Sequence, residues 1–164
     1  MANYQTKDIR NIALMGHGSE GKTTLTEALL FAAKAIDRQG RVEDGNTVTD
    51  FDPEEIKRGI SISAATAPIE WKQKMINIVD VPGYFDFIGE AMGPLRVVET
   101  AGIVVSAVGG ISVGAEKAWK LATKNHVAKM FIVNQMDREH AEFHKVEQAL
   151  REKFSRLIAE YDLR

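Results

Sequence analysis

The amino-acid sequence predicts an α/β fold with three layers, a mostly parallel sheet and one antiparallel hairpin. Strand-like and helix-like segments alternate along the chain. Two strand-like segments, AGIVVSAV and AKMFIVN, are almost wholly apolar, which is typical of strands covered on both faces of a parallel sheet. Two others, ISISAATAPIEW and KMINIVDV, are separated only by the polar KQK, which predicts a hairpin. In such a fold a ligand binds at the carboxyl ends of the strands.

The first half of the chain begins with the short apolar strand IRNIALM. The segment KTTLTEALLFAAKAI predicts a helix, because apolar residues recur at helical spacing. They are Leu25, Ala28, Leu29, Ala32 and Ala33. From Asp37 to Arg58 the chain is polar. We expect a long loop there, which in a compact domain is usually functional or mobile.

Beyond the hairpin, the sequence predicts a helix from Ile88 to Thr100. The two apolar strands then enclose the helix GAEKAWKLATKNH. The last segment, REHAEFHKVEQALREKFSRLIAEYDLR, predicts an amphipathic helix because apolar residues recur every three or four positions. They are Phe143, Val146, Leu150, Phe154, Leu157 and Tyr161.

Length and composition narrow the class of protein. The chain has 164 residues, no cysteine, and 21 basic against 23 acidic residues. One domain is expected, and thiolate metal sites are excluded. The balanced charge gives no whole-domain electrostatic reason to bind nucleic acid, so we expect no sequence-specific DNA partner. No window reaches the ~18 apolar residues of a membrane span and no signal segment is evident, so we expect no membrane partner and a cytoplasmic location.

The stretch GHGSEGKTT follows the first predicted strand and begins the first predicted helix. In that position the pattern Gly16-x-x-x-x-Gly21-Lys22-Thr23 predicts a phosphate-binding loop. Backbone N–H groups face phosphate oxygens, Lys22 reaches the terminal phosphates, and the Thr23 hydroxyl binds Mg²⁺. The alternative is a glycine-rich turn capped by threonine. The residues expected to bind nucleotide here are Gly16, His17, Gly18, Ser19, Glu20, Gly21, Lys22, Thr23 and Thr24.

The motif DVPG, Asp80 to Gly83, ends a second apolar strand. We expect Asp80 to hold magnesium, through water, and the Gly83 N–H to contact a γ-phosphate. This short element would then sense whether that phosphate is present. Alone, Asp-x-Pro-Gly is a common turn, but its spacing from the phosphate-binding loop favours a nucleotide site.

The motif NQMD, Asn134 to Asp137, follows the last buried strand. The Asp137 carboxylate can accept two hydrogen bonds from guanine, whereas adenine presents neither donor there. Paired recognition of this kind rejects the wrong partner by roughly 10⁴-fold. The alternative is that Asp137 caps the final helix. Together the three motifs favour GTP and GDP over ATP.

Two weaker features complete the candidate list. Ser61, in RGISI at the end of the long loop, is a candidate Mg²⁺ ligand when a triphosphate orders that segment, and the alternative is simply the start of a strand. His140 and His144 do not form a His-Glu-x-x-His pattern, so we expect a solvated face instead of a zinc site.

In order and spacing, GHGSEGKTT, EIKRGISI, DVPGYFDF and NQMD resemble the GTPase domain of translational GTPases, most closely elongation factor G and its paralogues. The resemblance covers essentially the whole chain. It implies a P-loop GTPase fold, GTP or GDP with Mg²⁺ as cofactors, and hydrolysis stimulated by the ribosome. It also implies that ordering of switch segments is coupled to movement of tRNA and mRNA. Lys22 and Gly83 would belong to the catalytic group.

The chain departs from this family at four positions of its motifs. Tyr84 stands where the family usually has a histidine that positions the attacking water. A phenol orients water only by neutral hydrogen bonding, or merely packs, so Tyr84 is a candidate catalytic residue. Ser61 replaces a threonine and keeps the hydroxyl. Gln135 replaces a lysine whose stem lies over the base, and Ser19 replaces an aspartate associated with a monovalent cation. These departures favour an elongation-factor-G-like paralogue.

Against the family, the sequence after Asp137 lacks a further strand and helix and the Ser-Ala loop that braces guanine. We therefore expect residues 1–164 to be the N-terminal part of a GTP-binding domain, truncated before its last strand and helix. Such a chain is expected to bind nucleotide weakly, to hydrolyse it slowly and to self-associate through exposed sheet edges. Alternatives are a regulatory GTP-binding protein with negligible hydrolysis, and a translational GTPase of the release-factor or ribosomal-protection type.

Overall fold

One mixed sheet organises the computed structural model, which describes residues 4–154. In chain order its strands are β1 (Ile9–Met15), β2 (Ala65–Trp71), β3 (Lys74–Asp80), β4 (Thr100–Ser106) and β5 (Ala128–Asn134). They lie in the order β2-β3-β1-β4-β5. Strands β2 and β3 are antiparallel, and the other neighbouring pairs are parallel. The predicted sheet with one hairpin is confirmed.

Helices cover both faces of this sheet. The described residues contain the helices α1 (Lys22–Ala32), α2 (Pro53–Arg58), α3 (Val113–Lys124) and α4 (Phe143–Lys153), of which α1, α3 and α4 pack on the sheet. On one face, Leu30 of α1 belongs to a buried cluster with Leu14 and Ile78 of the sheet. On the other face, Ala118 of α3 and Leu150 of α4 belong to a larger cluster around Ile103. The three predicted layers are therefore present.

The predicted helix from Ile88 to Thr100 is wrong. Two short 3₁₀ helices, Phe85–Ala91 and Pro94–Arg96, occupy this region, and Thr100 already begins β4. Glycine has low helix propensity and proline lacks an N–H, so Gly89, Gly93 and Pro94 disfavour a continuous α-helix here.

The long loop expected from Asp37 to Arg58 is only partly correct. It contains a 3₁₀ turn, Val42–Asp44, and ends in the helix α2. The Asp52 side chain accepts a hydrogen bond from Glu54 N at 2.8 Å, and Glu55 Oε2 accepts one from Asp52 N at 3.1 Å. This is a capping box, and the sequence DPEE contains its signature.

The last helix begins later in the chain than expected. It begins at Phe143 instead of near Arg138, because turns occupy residues 135–140. The predicted stripe positions Leu157 and Tyr161 lie outside the described residues. Within residues 4–154 there is no helix long and apolar enough to cross a membrane.

Candidate nucleotide-binding site

A cavity of about 340 Å³ lies at the carboxyl edge of the parallel strands. The loops that follow β1, β3 and β5 converge there, because the carboxyl ends of parallel strands meet at one edge. The structure thus brings together motifs more than 50 residues apart in the chain. The predicted site residues that line the cavity are Gly18, Ser19, Gly21, Lys22, Thr23, Thr24, Ser61, Gly83, Tyr84, Asn134, Gln135 and Asp137.

The phosphate-binding loop joins β1 to α1 through two strained glycine positions. Gly16 has φ +143° and Gly21, the N-cap of α1, has φ +84°, values that side chains disfavour. A Cβ on Gly21 would lie 2.6 Å from Asn134 Nδ2, so the last motif packs directly on this glycine. Lys22 is buried, and its Nζ donates to the His17 carbonyl at 2.8 Å. The loop is therefore preformed around a buried ammonium group.

Four predicted residues do not line the cavity: Gly16, His17, Glu20 and Asp80. The buried Glu20 carboxylate accepts a hydrogen bond from His17 N at 2.7 Å and another from the Ser112 hydroxyl. Burial raises the pKa of Glu20 above its usual value, against these hydrogen bonds. Glu20 thus links the loop to the N-cap of α3.

Asp80 lies beneath the cavity and joins two hydroxyl groups. Its Oδ2 accepts hydrogen bonds from Thr23 Oγ1 at 2.7 Å and Thr49 Oγ1 at 3.0 Å. Ser61 Oγ lies 3.2 Å from Thr23 Oγ1. Burial raises the pKa of Asp80 to about 6, partly opposed by these hydrogen bonds and by Lys22. The three predicted metal-binding residues are therefore within one hydrogen-bonded group.

The donor set fits a magnesium ion. Asp80 Oδ1 and Asp50 Oδ1 are both buried and have no hydrogen-bond partner within the described part of the chain. Burial also raises the pKa of Asp50, whose carboxylate accepts a hydrogen bond from Ser61. The described residues contain no cluster of three acidic, histidine or cysteine side chains suited to a metal. Mg²⁺ ordinarily takes only one or two carboxylates and completes its shell with water and phosphate oxygens, so this sparse set suits it.

The motif after β5 supports the phosphate-binding loop from the opposite side. Asn134 Nδ2 donates to the Glu20 carbonyl at 2.8 Å, and Gln135 Nε2 donates to the Ser19 carbonyl at 2.9 Å. Asp137 lines the cavity, and the N-cap of α4 is Glu142. The alternative interpretation of Asp137 as a helix cap is therefore wrong.

Six residues that the sequence-based candidates did not include also line the cavity: Val42, Glu43, Asp50, Gly59, Ile60 and Arg138. Most of them belong to the loop between α1 and β2. That loop folds back over the site because Glu27 and Glu55 bind its backbone. Asp50 and Gly59 could have been proposed as site residues because they are an acidic and a small residue in a loop that was expected to be functional. No local sequence pattern distinguished them from the rest of that loop.

Comparison with known proteins decides the family. Residues 7–163 match the family model described as the elongation factor Tu GTP binding domain. The chain belongs to this family. It spans only about a fifth of the length of the relatives that it matches.

Three relatives illustrate the relation. The chain is 42% identical over 146 residues to elongation factor G 2 of Borreliella afzelii, covering 89% of this chain and 22% of that protein. It is 40% identical over 151 residues to the mitochondrial ribosome-releasing factor 2 of Candida dubliniensis, covering 92% and 19%. A crystal structure of a Thermus thermophilus protein matches with a TM-score of 0.85 and 39% identity, covering 88% and 22%. The GTP-binding domain family thus accounts for the observed fold.

Proposed function

We propose that the cavity binds GTP and GDP with Mg²⁺ and that the chain acts as the GTP-hydrolysing switch of an elongation-factor-G-like translation factor. The observation that carries this proposal is the convergence of the three motifs on one cavity. A glycine-rich turn alone would not require Asn134 and Gln135 to bind its carbonyl groups. We further propose that residues 1–164 form part of a single GTP-binding domain, located in the cytoplasm.

The residues divide by the part of the nucleotide that they would bind. The loop from Gly16 to Thr24 would hold the phosphates through backbone N–H groups and Lys22. Asn134, Gln135 and Asp137 would face the base. Thr23, Ser61 and Asp80, with Asp50 beside them, would hold Mg²⁺. The ion, when bound, neutralises charge that develops on the phosphate oxygens.

Hydrolysis would depend on residues of the second motif. The Gly83 N–H and the Lys22 ammonium would stabilise negative charge on a terminal phosphate. Tyr84 lines the cavity directly after Gly83 and would orient water as a neutral hydroxyl. The names of the relatives concern elongation and ribosome release. We therefore propose that the ribosome stimulates this hydrolysis. We also propose that GTP hydrolysis drives movement of tRNA and mRNA.

An equilibrium titration tests the nucleotide assignment. Fluorescent GDP bound to the 164-residue chain with Mg²⁺ is competed by GDP, GTP and ATP. We expect GDP and GTP to displace the probe and ATP to fail, with a preference on the order of 10⁴-fold. Asp137→Asn should reduce this preference, because the amide presents one acceptor where the carboxylate presents two. Equal competition by ATP would refute the guanine assignment.

Single-turnover hydrolysis tests the enzymatic part separately. GTP hydrolysis by the full-length protein that carries this domain is followed with and without ribosomes, with the Lys22→Ala variant as the negative control. We expect slow intrinsic hydrolysis that ribosomes accelerate. Tight GTP binding without any hydrolysis would instead favour a regulatory GTP-binding protein.

A further inference from the structure

The phosphate-binding loop contains a third glycine, Gly18, that its motif does not require. Gly16 and Gly21 have φ of +143° and +84°, so their backbone conformation explains the choice of glycine. Gly18 has no left-handed φ. Alanine could therefore adopt its backbone conformation, and another cause must exclude a side chain at this position.

That cause is the ring of Tyr84. A Cβ on Gly18 would lie 2.6 Å from Tyr84 Cζ, 2.7 Å from Cε2 and 3.1 Å from Cε1. Apart from Gly18 and its two chain neighbours, these ring atoms are the nearest to that position among the described residues. The phenol ring rests on the bare backbone of the loop, and any side chain at Gly18 must displace it.

The backbone beside Tyr84 is packed just as closely. A Cβ on Gly83 would lie 2.6 Å from both Gly18 N and His17 C, and it would also meet Lys22 Nζ. The turn Gly83–Tyr84 therefore lies directly on the loop, with its backbone and its ring in contact with adjacent residues. The two contacts are adjacent in the chain, so a displacement of the ring that the Tyr84 side-chain torsions do not absorb would also move the Gly83 N–H.

A second aromatic residue holds the same segment in place. The rings of Phe85 and His17 have centroids 5.8 Å apart, and Lys117 Nζ of α3 lies 3.5 Å from the Phe85 ring centroid. The segment after Tyr84 is thus held between the loop and α3. The Gly83–Tyr84 turn therefore has contacts on both sides along the chain.

We propose that Gly18 is a positioning residue that acts through Tyr84: its missing side chain lets the ring lie on the loop and so sets the Gly83 N–H against a terminal phosphate. This inference rests on the proposed function. A diphosphate has no γ-phosphate to meet the Gly83 N–H. Substitution at Gly18 should therefore weaken binding of a triphosphate more than binding of a diphosphate.

The test compares Gly18→Ala with wild type, using fluorescent GDP and a fluorescent nonhydrolysable GTP analogue with Mg²⁺. We expect affinity for the GTP analogue to fall about tenfold and affinity for GDP to change less than about twofold, a size typical of one overpacked methyl group. Gly89→Ala is the matched control, because it lies in the segment after Tyr84, has no left-handed φ, and meets nothing within 4 Å of the added Cβ. It should change neither affinity.

A double-mutant cycle assigns the effect to the ring. In a Tyr84→Ala background, Gly18→Ala should have no further effect, since the clash is gone. In a Tyr84→Phe background the loss of affinity for the GTP analogue should persist, because the ring remains. In protein labelled with 3-fluorotyrosine, Gly18→Ala should shift the Tyr84 fluorine resonance in the absence of nucleotide, while Gly89→Ala leaves it unchanged.

Two results would overturn the inference. One is an equal loss of affinity for the GTP analogue and GDP, which would make Gly18 an ordinary part of the phosphate-binding loop. The other is additive effects of Gly18→Ala and Tyr84→Ala. If Gly18→Ala alone fails to fold, recovery of folding in the double variant supports the inference and failure of both overturns it. Wild-type protein that binds no guanine nucleotide would refute the proposed function, whereas the fluorine resonance still tests the contact.

Discussion

The two segments that border the cavity are held by different kinds of interaction. The first switch, residues 37–63, is bound by two buried carboxylates. Glu27 accepts hydrogen bonds from Gly40 N at 2.8 Å and Val48 N at 2.6 Å. Glu55 accepts hydrogen bonds from the backbone N–H groups of Asp52, Ile62 and Ser63 at 2.9 to 3.1 Å.

The second switch, residues 81–96, is held mainly by packing. It consists of a turn and two 3₁₀ helices, and it leaves Phe85, Ile88 and Met92 substantially exposed. Its Glu90 accepts one hydrogen bond from Ala64 N at 3.2 Å. Charge-assisted hydrogen bonds in buried surroundings are roughly twice as strong as neutral ones. The first switch should therefore be costly to disrupt, and the second should move at small energetic cost.

The largest effect is expected from removing a carboxylate that holds the first switch. Glu55→Ala should lower the free energy of unfolding by about 4 kcal/mol, because three backbone N–H groups lose a charged acceptor. Glu54→Ala is the matched control on the same helix. Its side chain is 52% exposed and pairs with the exposed Arg58, so a change below about 0.5 kcal/mol is expected. Urea denaturation of both variants measures the difference. If both variants lost a similarly small amount of stability, the first switch would not be held more firmly than the second.

Substitution of Asp80 should have a smaller effect on the free energy of unfolding, and it should raise it. Asp80 joins the first switch to the phosphate-binding loop through Thr49 and Thr23. Because burial raises the pKa of Asp80 to about 6, the nucleotide-free protein should lose stability as pH rises from about 4 to about 6. The shift corresponds to about 3 kcal/mol. Asp80→Asn should be about 3 kcal/mol more stable than wild type at pH 7.5, because the uncharged amide avoids the net cost of burying the carboxylate.

Denaturation at pH 4 and pH 7.5, without nucleotide and Mg²⁺, measures this difference. At pH 4 the two proteins should have similar stability, because the wild-type carboxyl is then protonated in the folded state. With GDP and Mg²⁺ the order should reverse, since an amide does not replace the carboxylate as a metal ligand. A variant less stable than wild type at pH 7.5 without ligand would contradict the raised pKa.

Glycine substitutions in the two switches should differ by about 1.5 kcal/mol in their effect on the free energy of unfolding. Gly59, the C-cap of α2 in the first switch, has φ +62°, so Gly59→Ala should destabilise the protein by about 1 kcal/mol. Gly89→Ala in the second switch should stabilise it by about 0.5 kcal/mol, because its φ is not left-handed and the added methyl group meets nothing. Thermal denaturation checks both signs, and destabilisation by both variants would count against this difference.

The smallest effect concerns the aromatic contact of the second switch. Lys117 Nζ lies 3.5 Å from the Phe85 ring centroid, and both side chains are exposed. A double-mutant cycle with Lys117→Ala and Phe85→Leu should give a coupling energy of about 0.5 kcal/mol. Lys120→Ala, an exposed lysine of the same helix, replaces Lys117→Ala in the control cycle and should give no coupling. A coupling energy above about 2 kcal/mol would contradict a second switch that moves at small energetic cost.

Local sequence patterns predicted the parts of the fold that depend on neighbours in the chain. The five strands, the hairpin and the helices α1 and α3 follow from apolar spacing, and the phosphate-binding loop follows from Gly16, Gly21, Lys22 and Thr23. The helix expected from Ile88 to Thr100 failed, because Gly89, Gly93 and Pro94 outweigh its apolar pattern. The capping box at Asp52 and Glu55 was present in the sequence and would have identified α2.

The amino-acid sequence by itself determined the order of the five strands and of the helices α1 and α3, and the chemical types at the site, because periodicity and the residue pattern within each motif act over a few residues. Only the tertiary structure decided which distant groups meet. Glu27 binds Val48, Asp80 binds Thr49, and Tyr84 lies on Gly18 because parallel strands bring the loops at their carboxyl ends to one edge. Those contacts depend on packing in three dimensions, and a local pattern of residues does not encode them.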